Sequence, residues 1–233
     1  MLPVVILSGG LATRMQPVTE TIPKAMIDIA GKPFIDWQLA ILKKQGIKKV
    51  ILCIGHLGEM IESYIGDGTS YGMDITCSYD GDKLLGTGGA IKKIESILPG
   101  AFFILYGDSY LDISYAPVME AFLESGKKGL MTVYENKGLY DSSNVIFHDG
   151  ELVSYSKKNK TTLMRHIDYG LGVLSKESFI DFPDNEPFDL AAVYEKLANE
   201  KQLLGYEVFT RFYEIGSPDG LAELRCKLTG ADK

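Results

Sequence analysis

Arg14 and Lys24 stand in one loop-like stretch, Leu7-Ser8-Gly9-Gly10-Leu11-Ala12-Thr13-Arg14 onward to Ile22-Pro23-Lys24, that leaves a short apolar run. Adjacent glycines let backbone N–H groups approach an anion closely, and two fixed cations suit a polyphosphate whose several charges must be held. The order is neither G-x-G-x-x-G nor a Walker A sequence, and a surface loop with two solvated cations is the plain alternative. A second glycine stretch, Gly86-Thr87-Gly88-Gly89, lies just ahead of a helical pattern. Bare N–H groups and the helix dipole can meet a ligand there, or Thr87 can simply cap the helix. Asp108 ends a buried-looking run with Gly107 before it. That arrangement projects a carboxylate over the crevice at the rim of an open α/β sheet, where it can hold Mg²⁺ together with phosphate oxygens, unless it only caps the next turn.

These residues need a sheet whose strand ends face one side. The first half alternates short apolar runs with helical patterns, the mark of βαβ units and a parallel sheet. Val4–Leu7, Lys49–Ile54, Asp74–Tyr79 and Ala101–Tyr106 read as strands. Phe34–Gln45, Gly58–Ile65, Thr87–Ile97 and Ala116–Leu123 read as helices, and a strand near Leu130–Tyr134 completes the doubly wound half. From about residue 140 hairpin-like pieces follow. Asn144–His148 and Glu151–Tyr155 flank Asp149-Gly150, a two-residue hairpin signal. A strand at Ile167–Leu174, a helix at Leu190–Asn199, strands near Leu204–Phe209 and Phe212–Ile215 and a helix at Pro218–Leu228 complete the pattern. The expected fold class is therefore α/β: a Rossmann-like doubly wound, mostly parallel sheet with a β-rich substrate-side insertion in the C-terminal half. No repeat or linker interrupts it, so residues 1–233 form one expected domain, with a doubly wound part over 1–135 and a β-rich part over 136–233.

Composition narrows the function classes. The 233 residues carry a formal charge of −7, which disfavours a nucleic-acid binder working through a basic face. The longest apolar runs are strand-sized, too short for a membrane span, and the N-terminus lacks a signal-peptide pattern, so a cytoplasmic protein is expected. Cys53, Cys77 and Cys226 are odd in number and widely spaced, as are His56, His148 and His166. Inert thiols are expected, with no disulfide framework or zinc site.

The order G-G-x-x-T-R-x-x-P-x-T-x-x-x-P-K after an N-terminal strand resembles the signature of the sugar-1-phosphate nucleotidyltransferases, the enzymes that make NDP-sugars. The likeness continues in the family's order through Leu85-Gly86-Thr87-Gly88-Gly89-Ala90, Tyr106-Gly107-Asp108, Val153-Ser154-Tyr155-Ser156-Lys157-Lys158, Asp168-Tyr169-Gly170 and Glu214-Ile215-Gly216-Ser217-Pro218. The resemblance implies transfer of a nucleotidyl group from an NTP to a sugar 1-phosphate with release of pyrophosphate, with 1–135 as the nucleotide-binding part and 136–233 as the sugar-phosphate-binding part. It implies Arg14, Lys24 and Asp108 as catalytic residues, with Ser8, Gly9, Gly10, Thr13, Gly86, Thr87 and Gly88 binding the nucleotide. On the acceptor side it implies Lys158, Asn144, Asp168 and Gly170, and it implies Mg²⁺ on Asp108 with Glu214.

The L-G-T-x-G form looks most like guanylyltransferases for mannose or heptose phosphates. Ala12 stands where the family usually has glycine, and Glu214 where it commonly has aspartate. In the F-x-E-K-P pattern, spacing from the aromatic residue selects Lys158 while Lys157 replaces the glutamate, leaving both lysines as candidates. Ser143-Asn144 replaces a common Tyr-Gly, and Asp168 a common Asn. The rivals are a UTP- or CTP-dependent enzyme for N-acetylmuramic acid 1-phosphate or phosphocholine, and a sugar-nucleotide-binding regulatory module without catalysis. A choline site would show an aromatic cage. A homodimer is compatible with the sequence but not specified by it.

Overall fold

In the computed structural model residues 1–230 are described. The elements in chain order are β1 (Val4–Ser8), β2 (Asp28–Ile29), β3 (Lys32–Pro33), α1 (Phe34–Lys44), β4 (Lys49–Ile54), α2 (Gly58–Ile65), β5 (Asp74–Tyr79), α3 (Gly86–Lys93), β6 (Ala101–Tyr106), β7 (Ser109–Tyr110), α4 (Ala116–Ser125) and β8 (Gly129–Glu135). The second half adds β9 (Val145–His148), β10 (Glu151–Tyr155), β11 (His166–Ser175), α5 (Leu190–Asn199), β12 (Leu203–Glu207), β13 (Tyr213–Glu214) and α6 (Pro218–Thr229).

Strands covered on both faces read as unbroken apolar runs, and successive side chains then enter opposite layers. In β1, Val4 and Ile6 pack with Ile35, Leu39 and Ile61 of α1 and α2, while Val5 and Leu7 pack with Ile91 of α3 and Val193 of α5. The nine-stranded sheet runs β10-β9-β11-β6-β1-β4-β5, with β8 paired to β11 and β12. β6, β1, β4 and β5 are parallel neighbours, Val4 lying beside both Val50 and Phe103. Their carboxyl ends therefore open on one edge, the place where ligands bind in open α/β sheets.

Two expectations change, and one pairing is added that the sequence left open. α3 stops at Lys93, and a separate 3-10 turn at Glu95–Ile97 replaces the continuous helix. β8 does not extend the parallel half: it runs antiparallel to β11 and parallel to β12. β11, from the second half, lies directly against β6, so both halves share one sheet. Such pairing is set by contacts remote in sequence, which a local pattern does not contain. The Asp149-Gly150 hairpin forms as expected, both residues taking positive φ, at 51° and 79°.

Two features of this frame position the site. The β11–β8 ladder shifts register between Asp168 and Gly172, a bulge that turns Asp168 out of the regular pleat. A third apolar cluster of Met15, Ile27, Phe34, Ile215, Leu221 and Leu224 ties the loop bearing Arg14 to α6 and the Glu214 segment.

Candidate active site

The loop after β1 begins in close backbone contact with its neighbours. A Cβ on Gly107 would lie 2.1 Å from Ser8 Oγ and 2.6 Å from Leu7 O, and one on Gly55 2.6 Å from Gly9 O. Ser8, Gly9 and Gly10 thereby line a cavity of about 250 Å³ with Lys24, Gly86, Thr87 and Asp108. Ser8 Oγ is buried with no hydrogen-bond partner among the described residues. Ala12 takes the left-handed conformation, φ 50°, that glycine would adopt freely. Its carbonyl accepts from Met15 N at 2.9 Å and from the buried Thr19 hydroxyl at 2.9 Å, which fixes the turn ahead of Arg14. Thr13 lies exposed on this loop and lines neither cavity described here.

The second glycine stretch serves packing as well as the cavity. Gly88 N and Gly89 N donate to Phe188 O, at 3.0 and 3.3 Å, and a Cβ on Gly88 would run into the Phe188 ring. Gly86, at φ 70°, lies against Phe188 O. Thr87 does not cap its own helix: its Oγ1 accepts from Leu190 N at 2.9 Å, the first residue of α5, and donates to Asp189 Oδ1 at 3.2 Å. Asp189 caps α5 through Ala191 N and receives Lys157 Nζ on its other oxygen at 2.6 Å. A polar chain therefore runs from the first cavity to Lys157. Lys158 is exposed and has no hydrogen-bond partner among the described residues.

Asp108 lines both this cavity and a second one of about 550 Å³. Its Oδ2 accepts from Lys24 Nζ at 2.9 Å. The strand end carrying it is fastened by Gln38, whose buried amide donates to Tyr106 O at 3.1 Å and Ser109 O at 2.9 Å, and by Ile215 N donating to Asp108 O at 2.9 Å. The β13–β7 pairing sets Glu214 opposite Ser109. Around Gly216 three charges meet: a Cβ there would lie 2.6 Å from Glu214 Oε2, 3.1 Å from Asp108 Oδ2 and 3.3 Å from Arg14 Nη2. Glu214 also accepts from Gly216 N and from Ser217 Oγ, the N-cap of α6. Arg14 is exposed and lines the second cavity with Glu214, while Lys24 lines the first, so Asp108 is the charged group common to both.

Asp168 and Asn144 line the second cavity. Asp168 accepts from Tyr106 OH at 3.0 Å and Gly170 N at 3.0 Å, while Asn144 Oδ1 receives Asp168 N. Burial pushes the Asp168 carboxyl up to about 6, against the lowering effect of those two hydrogen bonds. Gly170, at φ 97°, completes the bulge and packs on Ser109. Aromatic rings of Tyr140, Phe212 and Tyr213 form one wall, but two of them already hold a cation. The Arg211 guanidinium lies 4.6 Å from the Tyr140 ring centre and 4.7 Å from that of Tyr213.

Sequence reasoning missed several contributors. Gln38 passes for a member of the α1 pattern, while Gly216 and Thr19 stand in the quoted motifs with no role assigned to them. Asp80, which follows β5, belongs to no motif; it is buried, lines the first cavity and has its carboxyl pushed up by that burial. Cys53 borders the same cavity with its thiol pushed up to about 12 by burial, which suits an inert group. Among the described residues no three His, Cys, Asp or Glu side chains form a preassembled metal cluster, and no helix is long and apolar enough to cross a membrane.

Residues 3–142 match the nucleotidyl transferase family. The chain is 30% identical over 219 residues to the D-glycero-alpha-D-manno-heptose 1-phosphate guanylyltransferase of Campylobacter jejuni, covering 92% of this chain and 95% of that one. It is 30% identical over 211 residues to the UTP–glucose-1-phosphate uridylyltransferase of a Synechocystis species, covering 83% of this chain and 54% of the relative, so it spans about half that relative's length. The crystal structure of HddC from Yersinia pseudotuberculosis complexed with GMP-PN is similar at a TM-score of 0.80 and 26% identity, covering 98% of this chain and all of that one.

Proposed function

The chain belongs to the nucleotidyl transferase family, and on that premise we propose that it joins an NTP to a sugar 1-phosphate, giving an NDP-sugar and pyrophosphate, with GTP and a heptose or mannose 1-phosphate as the pair. The observation that carries this reading is the shared carboxylate: Asp108 borders two cavities, one edged by glycine-loop backbone and the other by polar and aromatic side chains. A donor in the first and an acceptor in the second would meet beside it. The length-matched similarity to a heptose guanylyltransferase supports the choice of pair.

In this reading the acceptor phosphate oxygen, already ionised near neutral pH, attacks the α-phosphorus. A new P–O–P bond forms, the bond to the β-phosphate bridging oxygen breaks, and pyrophosphate leaves without a general base. The protein's contribution is alignment and neutralisation of charge. Lys24 and Arg14 hold the departing pyrophosphate, Asn144 and Asp168 line the sugar side with Gly170 shaping the bulge beside them, and Lys157 or Lys158 approaches the acceptor phosphate. The oxygens of Asp108 and Glu214 converge beside Gly216. That donor set suits magnesium, which takes one or two carboxylates and completes its shell with water and substrate phosphate. Asp108 and Glu214 would hold it, and when bound it supplies neutralisation of phosphate charge.

A phosphocholine acceptor is disfavoured because Arg211 already faces the Tyr140 and Tyr213 rings and would repel a quaternary amine. The test is pyrophosphate release with Mg²⁺, crossing five NTPs with heptose, mannose, glucose, N-acetylhexosamine and N-acetylmuramic acid 1-phosphates and phosphocholine. Release only with GTP and a heptose or mannose phosphate is the expected result. Release with phosphocholine alone, or none despite NTP binding, overturns the reading.

A further inference from the structure

The first cavity has two unlike ends. One holds Lys24 paired to Asp108, and Lys24 is the only cation that lines this cavity among the described residues. The other is walled by Cys53, Leu84 and Ala90, and it encloses a single charge, Asp80. A carboxylate set in an apolar slot needs partners that donate, because desolvation without hydrogen bonds is costly.

The protein holds Asp80 firmly but does not satisfy it. Its backbone N donates to Ile54 O at 3.0 Å, continuing the β4–β5 ladder, and its carbonyl receives Lys93 Nζ at 3.1 Å. Oδ2 accepts from Leu85 N at 3.1 Å and lies 3.3 Å from where a Gly9 Cβ would stand. Oδ1 has no partner among the described residues, and a carboxylate oxygen with one hydrogen bond keeps a further lone pair. The residue is only 9% exposed, so what solvent it reaches is the cavity itself.

We infer that Asp80 reads the base of the nucleotide and selects guanine. The inference rests on the nucleotide reading of this cavity given above. Guanine alone presents two adjacent donors, N1–H and the N2 amine, to an acceptor-only pair of oxygens. Adenine and cytosine place a ring acceptor beside their amine, and uracil and thymine flank N3–H with carbonyls, so each sets a lone pair against the carboxylate. A site built to accept from a ligand donor rejects an analogue lacking it, since the charged acceptor is then left unpaired. The apolar walls fit the faces of a flat ring. A carboxylate reading ribose hydroxyls instead would treat all ribonucleotides alike, and this separates the two roles.

The experiment is calorimetric binding of GTP, ITP, UTP, CTP and ATP to the full chain with Mg²⁺, for the wild type and Asp80→Asn, alongside melting temperatures. ITP lacks only the N2 amine. Wild type is expected to bind GTP at least about tenfold tighter than ITP, and the other three more weakly still. Asp80→Asn, which replaces one acceptor with a donor, should bring GTP and ITP within about threefold of each other. Equal binding of GTP and ITP by the wild type, tightest binding of UTP, CTP or ATP, or a uniform loss across all five NTPs in Asp80→Asn would overturn the inference. If Asp80→Asn does not fold, Asp80→Glu takes its place: it should weaken GTP yet keep GTP ahead of ITP, and an unchanged GTP affinity would count against Asp80. Selective GTP binding without pyrophosphate release for any acceptor would sustain this inference while overturning the transferase reading; no binding of any NTP would overturn both.

Discussion

Replacing Gly216 by alanine sets one methyl group among the charges at the junction of the two cavities. The backbone there is not in the positive-φ region, so alanine adopts it without strain. The added carbon would lie 2.6 Å from Glu214 Oε2, 3.1 Å from Asp108 Oδ2 and 3.3 Å from Arg14 Nη2, where ordinary contact begins at 3.4 Å. Glu214 Oε2 must therefore retreat by about 0.8 Å and Asp108 by about 0.3 Å, which the ends of these side chains can do. The expected stability loss is at most about 1 kcal/mol, a fall in melting temperature of about 2–4 °C for a domain of this size. Catalysis is less forgiving, because a misplacement of about 1 Å at a reacting centre costs about a hundredfold. Pyrophosphate release at saturating substrates should drop by about that factor while the far-UV spectrum and melting temperature barely move. A variant that keeps more than a third of wild-type turnover would refute the placement of the transfer at Gly216. Gly107→Ala is the contrast: its methyl would meet Leu7 O, which is backbone, so folding itself should suffer.

Three further outcomes are expected. Ala12→Gly relieves a left-handed alanine at a cost in unfolded-chain entropy, for a net gain of about 0.5 kcal/mol, or 1–2 °C in melting temperature by calorimetry, with activity retained. Asp168 titrates near 6 when folded against an ordinary 3.8, so the folded state binds the proton more tightly. Its contribution to stability is then greatest below about pH 4 and is lost as pH rises through 6; Asp168→Asn should flatten that part of the melting-temperature profile, and an unchanged slope would contradict the assignment. Lys157→Ala should lower kcat/KM for the sugar phosphate about tenfold and Lys158→Ala less than twofold, because only Lys157 joins the polar chain leading to Thr87; the reverse order in steady-state kinetics would reassign the role.

Much of the parallel half was legible because doubly covered strands must be apolar throughout and helices must carry periodic faces. Val4–Ser8 and Ala101–Tyr106 announce themselves, and Asp149-Gly150 fixes its hairpin by φ preference alone. The places of β8 and β11 were not legible, since antiparallel neighbours are chosen by packing across the chain. At the site, glycine spacing drew attention to Gly86–Gly89 as a ligand loop. Two of its N–H groups turn out to be engaged by Phe188, a partner about a hundred residues away that no local pattern shows. Gln38 and Asp80 stayed hidden for a related reason: each acts through directed hydrogen bonds to the backbone, and a polar residue in a helix pattern or after a strand looks like surface until its burial is known.

The sharing of β11 between β6 and β8 also decides how this protein can move. Domains joined by a flexible waist can close on their substrates like jaws, the bend being absorbed at a few hinge positions. Here the five-residue register of β11 with β6, from Leu171 opposite Leu105 to Ser175 opposite Ala101, stitches the two halves of the chain edge to edge. A jaw motion would have to shear that ladder; the turn from Leu139 to Ser142, which borders the second cavity, lies outside it. The floor under the two cavities is a single plate, so in the proposed reaction the separation of donor and acceptor would be set by the sheet itself.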